Sequence, residues 1–383
     1  MHVAFLSHEY PPLPGGGIGT SVRNLARALV AAGHRVTVVG WGPEARFDDR
    51  GVAVRFLGHA RLPKLGWWLN RRRAARYLGR LCREEGLAIV EAHDWCAPSA
   101  GMRLPCPLVV RLHGSATYFG HILDEPVRWR VRRAEAVALH RADALLSVSR
   151  FTAELTRRLF DLGERPIEVI PNGVELEQFA AADPAAVEPD TLLYVGTVVR
   201  KKGVIDLCRA FSLLLATRPR ARLLVVGRDV PDVKSGAPST WDLCRRALSE
   251  AARERVSYLG PRPYDEVQAH LRKAAVCVFP SYAEALPLSW MEAMACARPV
   301  IAYDVGWAGE MIRDGRDGRL VGAGDVAALA AAAAELLAAP EEAHRLGRAA
   351  RATVEARFAA PVVAAAGERF YRRVIAGRRR GGR

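Results

Sequence analysis

The chain repeats one local pattern in each half: a short apolar segment, a turn, and a longer segment with apolar residues at helical spacing. Residues 2–7 and 36–39 flank such a helical segment in the first half, and residues 191–195 and 223–227 flank another in the second. Parallel strands need a crossover between them, usually a helix, so this alternation predicts parallel sheets covered by helices. The chain has 383 residues, too many for one hydrophobic core. The predicted fold class is therefore α/β, with two doubly wound domains.

The predicted domain boundaries follow the change in composition near the middle of the chain. An Ala- and Pro-rich stretch follows the turn signal at Asn172 and Gly173. We predict an N-terminal domain over residues 1–178, a linker over 179–190 and a second domain over 191–360. Residues 361–383 are predicted to form a terminal helix and a basic tail.

The composition favours a soluble protein from a reducing compartment of the cell. Half of the residues are hydrophobic and a quarter are charged, as in ordinary globular proteins. The seven cysteines are scattered without a Cys-x-x-Cys pair, which favours reduced thiols and argues against a zinc site. The first dozen residues have the pattern of a strand and a loop rather than of a signal peptide. We therefore expect a cytoplasmic protein.

The net charge of +15 favours anionic partners, because a basic surface attracts them over a distance. Part of this charge lies on a predicted amphipathic helix that begins at Trp67 and Trp68. Its basic residues over 68–83 are Arg71, Arg72, Arg73, Arg76, Arg80 and Arg83, and a second group follows at Arg128, Arg130, Arg132 and Arg133. Two interpretations remain open: a solvated basic face, or a surface for an anionic membrane or acceptor.

A glycine-rich loop follows the first predicted strand and contains Gly15, Gly16, Gly17 and Gly19. A helix is predicted from residue 20, with Thr20 or Ser21 able to cap it. Strand, glycine-rich turn, helix and strand form a nucleotide-binding pattern, since glycines let the backbone approach a ligand closely. The spacing differs from the Gly-x-Gly-x-x-Gly dinucleotide fingerprint.

Two acidic residues, Glu284 and Glu292, bracket seven mostly apolar residues. Residues 274–281 predict a buried strand that runs into a loop, and residues 288–296 predict a helix. Glu284 would then lie outside a strand end and Glu292 about one turn into the helix. Ligands of parallel sheets bind at that edge, and a helix N-terminus there attracts phosphate. Taken alone, the pair also fits two solvated acids on a core helix.

The context of this acid pair carries a family resemblance. The chain resembles the retaining GT-B glycosyltransferases of family 4, also called group 1, in four places. These are the acid pair with Pro287, Leu288 and Ser289, the following residues 297–302, the segment 171–174 and the dipeptide Lys202–Gly203. The resemblance covers nearly the whole chain. It implies the GT-B fold, two Rossmann-like domains that face a central cleft. It also implies acceptor binding by the first domain, nucleotide-sugar binding by the second, and a terminal helix that crosses back to the first.

The resemblance assigns roles to individual residues. Glu284 would bind hydroxyls of the transferred sugar, and Glu292 would bind the ribose hydroxyls. Lys202, with Arg200, would neutralise the departing diphosphate, and His113 would contact the donor sugar or the acceptor. The expected catalytic residues are thus His113, Glu284 and Lys202. The other donor contacts implied are Gly17, Gly19, Gly196, Gly227, Leu286, Pro287 and Leu288, and the acceptor-side residues are His93, Asp94 and Gly16.

The chain departs from the family pattern at two positions. Thr197 stands where an arginine is usual, so one diphosphate contact is in question, and Arg200 is the expected substitute. Trp307 replaces the second of two adjacent glycines, which predicts a narrower loop there.

The expected activity is transfer of a sugar, with retention, from a nucleotide-sugar to an alcohol of a glycan, glycolipid or small molecule. We expect no cofactor, because the sequence has no evident Asp-x-Asp metal site, and no nucleic-acid partner. Two alternatives stay open. One is a GT-B epimerase or phosphorylase, and the other is a non-catalytic, membrane-associated protein that binds nucleotide-sugars. The nucleobase, the sugar and the acceptor do not follow from these residues.

Overall fold

The computed structural model describes residues 1–13, 15–60, 62 and 65–381. The chain divides into two compact units: unit 1 comprises Met1–Val174 and Phe358–Arg383, and unit 2 comprises Glu175–Arg357. The division after residue 174 lies slightly before the predicted boundary at 178, and the chain returns to unit 1 at residue 358 rather than 361. Pro14 of the glycine-rich loop and residues 382–383 of the predicted basic tail lie outside the described residues.

Unit 1 is a parallel sheet with helices against it, as the alternation of apolar segments predicts. Within the described residues its elements are β1 (His2–Leu6), α1 (Gly17–Ala31), β2 (Arg35–Gly42), β3 (Ala45–Asp49), β4 (Val52–Gly58), α2 (Gly66–Glu84), β5 (Leu87–His93), β6 (Leu108–Leu112), α3 (Ala116–Leu123), α4 (Trp129–Arg141), β7 (Ala144–Ser147), α5 (Arg150–Leu159), β8 (Ile167–Val169) and the C-terminal helix α14 (Ala360–Gly381).

The strand order of unit 1 is β3-β4-β2-β1-β5-β6-β7-β8. Neighbouring strands in this order are parallel, except that β3 is antiparallel to β4. The order runs outward from β1 on one side and from β5 on the other. The carboxyl ends of β1 and β5 therefore flank the point where the topology reverses, the usual ligand position in such sheets.

Two local features of unit 1 differ from the sequence prediction. The antiparallel hairpin of β3 and β4 was missed, because β3 is polar and half exposed and lacks an apolar pattern. Helix α1 begins at Gly17, and its N-cap residue, Gly16, has no side chain with which to cap it. Capping by Thr20 or Ser21 is therefore wrong, since both residues lie inside the helix.

A buried ionic cluster joins the sheet of unit 1 to α14. The Arg111 guanidinium donates to both carboxylate oxygens of Glu91, at 2.7 and 3.2 Å, and to the Ile170 carbonyl at 2.9 Å. The Tyr371 hydroxyl donates to Glu91 Oε2 at 2.6 Å. All three side chains are buried. Charges out of water persist only when paired and hydrogen-bonded, and these contacts provide that pairing.

Unit 2 repeats the same architecture. Its described elements are β9 (Thr191–Val195), α6 (Val204–Leu214), β10 (Arg222–Val226), α7 (Thr240–Ala247), α8 (Glu250–Arg253), β11 (Val256–Gly260), α9 (Tyr264–Lys273), β12 (Val276–Phe279), α10 (Leu288–Ala295), β13 (Val300–Asp304), α11 (Ala308–Met311), β14 (Arg319–Gly322), α12 (Val326–Ala338) and α13 (Pro340–Arg357). The strand order is β11-β10-β9-β12-β13-β14, so the topology reverses between β9 and β12.

Helix α10 is the central buried helix of unit 2. Seven of its residues, Leu288 and 290–295, are buried. Trp290 is fully buried, and its ring centroid lies 4.7 Å from that of Trp307, which is 1% exposed. Trp307 is therefore a core aromatic residue that packs on α10, rather than a side chain that narrows a loop.

No helix in the described part of the chain is both long enough and apolar enough to cross a bilayer.

Candidate functional site

The carboxyl ends of β9 and β12 in unit 2 bring Lys202 and Glu284 together. Lys202 Nζ lies 2.8 Å from Glu284 Oε1, and the two side chains are 19% and 13% exposed. Lys202 ends a 3-10 turn after β9, and Glu284 lies in the loop between β12 and α10. Two residues chosen from sequence as catalytic therefore form one ion pair at the topological reversal of this sheet.

Glycines let the backbone segments around this pair approach one another. Gly203 has a φ of +68°, and a Cβ on it would lie 1.8 Å from the Pro280 carbonyl oxygen. A Cβ on Gly227 would lie 1.8 Å from the carbonyl oxygen of Gly196. Any larger residue at 203 or 227 would force these strand ends apart. Gly196 and Gly227, which the resemblance assigns to donor binding, thus lie at adjacent strand ends.

The second acid, Glu292, is held by a tyrosine that the sequence analysis did not single out. The Tyr264 hydroxyl donates to Glu292 Oε1 at 2.5 Å. Glu292 is 6% exposed and lies in the second turn of α10, as its spacing predicts. Phe179 packs edge-on against the Tyr264 ring at 5.5 Å. A buried carboxylate oriented in this way is ready to accept hydrogen bonds from hydroxyl groups.

Because the family resemblance assigns Glu292 to the ribose of a nucleotide-sugar, we expect Tyr264→Phe to raise the KM for that donor about ten-fold, the effect of losing a hydrogen bond to a charged group. The kcat should change less, because Tyr264 acts through Glu292 and the Phe ring keeps the contact with Phe179. Steady-state kinetics over a range of donor concentrations measures both constants. Tyr77→Phe in unit 1 is the matched control. A KM equal to that of the wild type would show that Tyr264 does not position Glu292 for binding.

Arg200 forms an ion pair that the sequence analysis did not predict. Its guanidinium donates to both oxygens of Asp232, at 2.8 and 2.7 Å. Asp232 also accepts hydrogen bonds from Ser235, and the Arg200 contact is the main reason why its pKa lies well below the usual range. Arg200 therefore neutralises a carboxylate of its own chain.

The remaining predicted donor residues form the entry to α10. Pro287 is the N-cap residue, and α10 begins at Leu288. Leu286 and Leu288 are buried, at 5% and 9% exposure. The amides of the first turn of α10 have no partners within the helix, so this end favours negative charge.

In unit 1, the predicted acceptor-side residues cluster at the ends of β1, β5 and β6. The His93 ring lies 4.9 Å from the ring of His8, which follows β1 and stacks on Trp41. Asp94 Oδ1 accepts a hydrogen bond of 2.8 Å from the backbone N–H of His113. His93, Asp94 and His113 are all buried. The structure thus brings these three residues together and adds His8.

Burial shifts the titration of this cluster. Burial, helped by the charge of Arg111, lowers the pKa of His113 to about 3, and burial also lowers the pKa values of His93 and His8. Burial raises the pKa of Asp94 to about 7, against the opposing hydrogen bond from His113. The imidazoles are therefore neutral at physiological pH, a form in which each ring can both donate and accept a hydrogen bond.

The depressed pKa of His113 predicts a loss of stability in acid. Between pH 6.5 and about 3 the unfolded chain binds a proton on this imidazole that the folded chain does not, so stability falls as the pH falls. Asp94 acts in the opposite direction, because its raised pKa makes stability fall as the pH rises from 3.8 to about 7. We expect His113→Gln to reduce the loss of folding stability between pH 6.5 and about 3. Urea unfolding midpoints at several pH values measure this loss for the wild type and for His113→Gln. The same pH dependence in both would show that His113 does not cause the loss of stability in acid.

The glycine-rich loop folds around a carboxylate that the sequence analysis did not identify. Glu9 Oε2 accepts hydrogen bonds from the backbone N–H groups of Gly16, at 2.8 Å, and Gly19, at 3.4 Å. A Cβ on Gly19 would lie 2.9 Å from the Glu9 carbonyl carbon, so glycine is required there. Gly17 is the first residue of α1. The first turn of α1 thus binds a negative group of its own chain.

Comparison with known proteins identifies the class that this fold and these strand-end residues define. The solved sucrose-phosphate synthase from Thermosynechococcus elongatus superposes with a TM-score of 0.80 at 24% identity, covering 98% of this chain and 99% of that one. The Anabaena protein Alr3699/HepE, solved in complex with UDP and glucose, gives a TM-score of 0.73 at 16% identity, covering 97% and 99%. The chain has the GT-B fold of glycosyltransferases.

Sequence matches give the family. Residues 15–178 match the model described as Glycosyltransferase Family 4, and residues 177–353 match Glycosyl transferases group 1. Alpha-maltose-1-phosphate synthase from Mycobacterium tuberculosis is 30% identical over 425 residues, covering 98% of this chain and all of that protein. Glycogen synthase from the same organism is 29% identical over 400 residues, covering 97% and 94%. The chain belongs to the group 1 glycosyltransferases of family 4 and is a glycosyl-transferring enzyme.

Proposed function

We propose that the protein transfers a sugar from a nucleotide-sugar donor to an alcohol acceptor with retention of anomeric configuration. The observation that carries this proposal is the 2.8 Å contact of Lys202 with Glu284 at the edge of unit 2 where Glu292 and the start of α10 also lie. One cation and two carboxylates match the groups of a nucleotide-sugar: a diphosphate and two sets of sugar hydroxyls.

All bonds that form and break in the proposed step belong to the donor and the acceptor. The bond from the anomeric carbon to the diphosphate oxygen breaks, and a bond to the acceptor oxygen forms on the same face of the sugar. The acceptor proton passes to the released diphosphate. Lys202 stabilises the negative charge that develops on the leaving group, which is the main electrostatic task of such a site. Glu284 holds the transferred sugar, and Glu292, oriented by Tyr264, holds the ribose.

The chemistry of the proposed step needs no resident cofactor, because Lys202 and the start of α10 provide positive charge for the diphosphate. Turnover that persists in EDTA would support this part of the proposal, and turnover that requires an added divalent cation would reject it.

The buried imidazoles of unit 1 support an acceptor-binding role for that unit. Neutral His93 and His113 can exchange hydrogen bonds with an alcohol without adding charge. Neither ring nitrogen of His93 has a side-chain hydrogen-bond partner within the described residues, although its ring is buried. Buried polar atoms of this kind usually have a partner, so a ligand hydroxyl would complete the site.

The first experiment is a thermal-shift panel with UDP-, GDP-, ADP- and TDP-sugars on the wild type and on Glu292→Ala. A ligand that binds only the folded protein raises its melting temperature. A shift with one nucleotide, lost in the variant, identifies the donor and supports the site. Product analysis by NMR then tests retention through the anomeric configuration. Absence of a shift with every nucleotide would reject the proposed function.

The surface of α2 favours a second property, peripheral contact with an anionic membrane. Trp67 and Trp68 at its start are 58% and 43% exposed, and Leu65 beside them is 58% exposed. The opposite face is core, because Ala74, Leu78 and Leu81 are buried as predicted. The predicted basic face is exposed and consists of Arg72, Arg76, Arg80 and Arg83. Exposed tryptophans beside a cationic stripe suit the interface of an anionic bilayer.

We expect the wild type to sediment with vesicles that contain phosphatidylglycerol and not with pure phosphatidylcholine. The triple variant Arg72→Gln, Arg76→Gln, Arg80→Gln should bind about a hundred-fold more weakly, since each basic residue near an anionic surface contributes about 1 kcal/mol. The control carries the same charge change on unit 2: Arg245→Gln, Arg246→Gln and Arg253→Gln. Equal loss in both variants would mean that overall charge, not α2, drives binding.

The same assay tests the non-catalytic alternative. A protein that sediments with vesicles and binds a nucleotide-sugar, yet transfers no sugar to any alcohol offered, would favour a membrane-associated binding protein over an enzyme. Membership of a family of glycosyltransferases favours the enzyme.

A further inference from the structure

At the donor edge of unit 2, the two basic residues assigned to the diphosphate are both paired with carboxylates of the chain. Lys202 forms an ion pair with Glu284, and Arg200 is paired in a bidentate manner with the buried carboxylate of Asp232. Thr197, beside them, carries no charge. A nucleoside diphosphate is a multiply charged anion, and its oxygens are best matched by a guanidinium, which binds two of them at once. A guanidinium that binds the diphosphate at this edge would therefore come from another residue.

Arg228 follows β10 at this edge, directly after Gly227. Its carbonyl oxygen accepts a hydrogen bond of 2.8 Å from the N–H of Val198, the residue after Thr197. The close approach of Gly227 to the Gly196 carbonyl brings the two strand ends together. Arg228 and Thr197 therefore lie on adjacent segments at the end of the sheet where the donor groups lie.

The side chain of Arg228 is available, while the backbone around it is held firmly. Arg228 is exposed, and its side chain makes no hydrogen bond or ion pair with any residue in the described ranges. Its neighbour Asp229 instead accepts a hydrogen bond of 3.0 Å from the Trp241 N–H. The Tyr258 hydroxyl donates to the Gly227 carbonyl at 3.0 Å, and Trp241 stacks on Tyr258 at 4.6 Å. A long cationic side chain thus extends from an anchored strand end.

We propose that Arg228 is a donor-binding residue whose guanidinium contacts the diphosphate of the nucleotide-sugar and supplies the charge that Thr197 lacks. This inference rests on the proposed function. Arg228 binds the phosphate oxygens from the end of β10, and Lys202 binds them from the turn that follows β9. Arg200 is held by the Asp232 carboxylate at the same edge.

The test compares ligands with and without phosphate. Isothermal titration of the wild type and Arg228→Gln uses the nucleoside diphosphate found in the panel and the corresponding nucleoside. We expect the variant to bind the diphosphate about ten-fold or more weakly, the effect of losing a charge-assisted hydrogen bond. Binding of the nucleoside should not change. Arg246→Gln, which removes an exposed arginine from α7, is the matched control and should bind both as the wild type does.

A rescue variant distinguishes local charge from other effects of the substitution. Thr197→Arg in the Arg228→Gln background places a guanidinium on the adjacent segment and should restore most of the diphosphate affinity. If Arg228→Gln binds the diphosphate as tightly as the wild type, the inference is overturned and the proposed function stands. If the wild type binds none of UDP, GDP, ADP and TDP, the proposed function fails and this inference fails with it.

Discussion

Replacement of Lys202 by alanine is expected to lower kcat by about 10² to 10³-fold, the usual effect of removing one preorganised group that stabilises a developing negative charge. Lys202 Nζ contacts Glu284 Oε1 at 2.8 Å, at the end of the sheet where the proposed donor groups lie. The ammonium is mostly buried, so water would not replace it efficiently as the diphosphate departs. Steady-state kinetics with the donor from the panel measures the loss.

Two further variants separate charge from packing at this position. Lys202→Arg keeps the positive charge and should retain more activity than Lys202→Ala. Lys273→Ala removes a lysine whose partner is the half-exposed Glu188, at 3.6 Å, and should leave kcat unchanged. An unchanged kcat in Lys202→Ala would show that this cation does not assist departure of the diphosphate. The contact of Lys202 with Glu284 would then no longer support the proposed function.

Replacement of Glu91 by alanine is expected to destabilise unit 1 by about 3–5 kcal/mol, because it leaves the charge of Arg111 buried and unpaired. Arg111 is 2% exposed and would keep its bond to the Ile170 carbonyl but lose its carboxylate partner. The Tyr371 hydroxyl would also lose its acceptor. Because Tyr371 lies on α14, the docking of that helix on the sheet should weaken together with β5 and β6.

Hydrogen exchange followed by mass spectrometry localises this effect, since it reports opening free energies segment by segment. The amides of α14, β5 and β6 should lose protection, and those of unit 2 should not. Glu168→Ala is the matched control: its partner Arg373 is also on α14, but this ion pair is exposed. Removal of a surface pair should change stability by about 0–1 kcal/mol. Equal loss of protection in the two variants would contradict the role of the buried cluster.

Much of the fold could be predicted from local sequence patterns. Three predictions were correct: the division into two α/β domains, the helix with Ala74, Leu78 and Leu81 on its buried face, and the position of Glu292 one turn into α10. These features depend on periodicity and on breakers within a short window. The β3–β4 hairpin was missed because its polar residues carry no such period. The capping of α1 was wrong because Glu9, seven residues before Gly16, supplies the acceptor.

The packing of Trp307 illustrates the limit of reasoning from a motif. A tryptophan in place of glycine suggested a narrowed loop. In the structure its ring is buried against Trp290, so its effect is on the core under α10. The burial of a side chain depends on what the rest of the chain places above it, and a motif does not contain that information.

The sequence by itself determined the alternation of strands and helices, the glycines at the strand ends, and the spacing of Glu284 and Glu292, because local periodicity and conformational preference act over a few residues. Only the tertiary structure decided which charged groups are paired. Arg200 is paired with Asp232, and Tyr371 reaches Glu91 across 280 residues. Electrostatic energy depends on distance and burial, and both are set by the path of the whole chain.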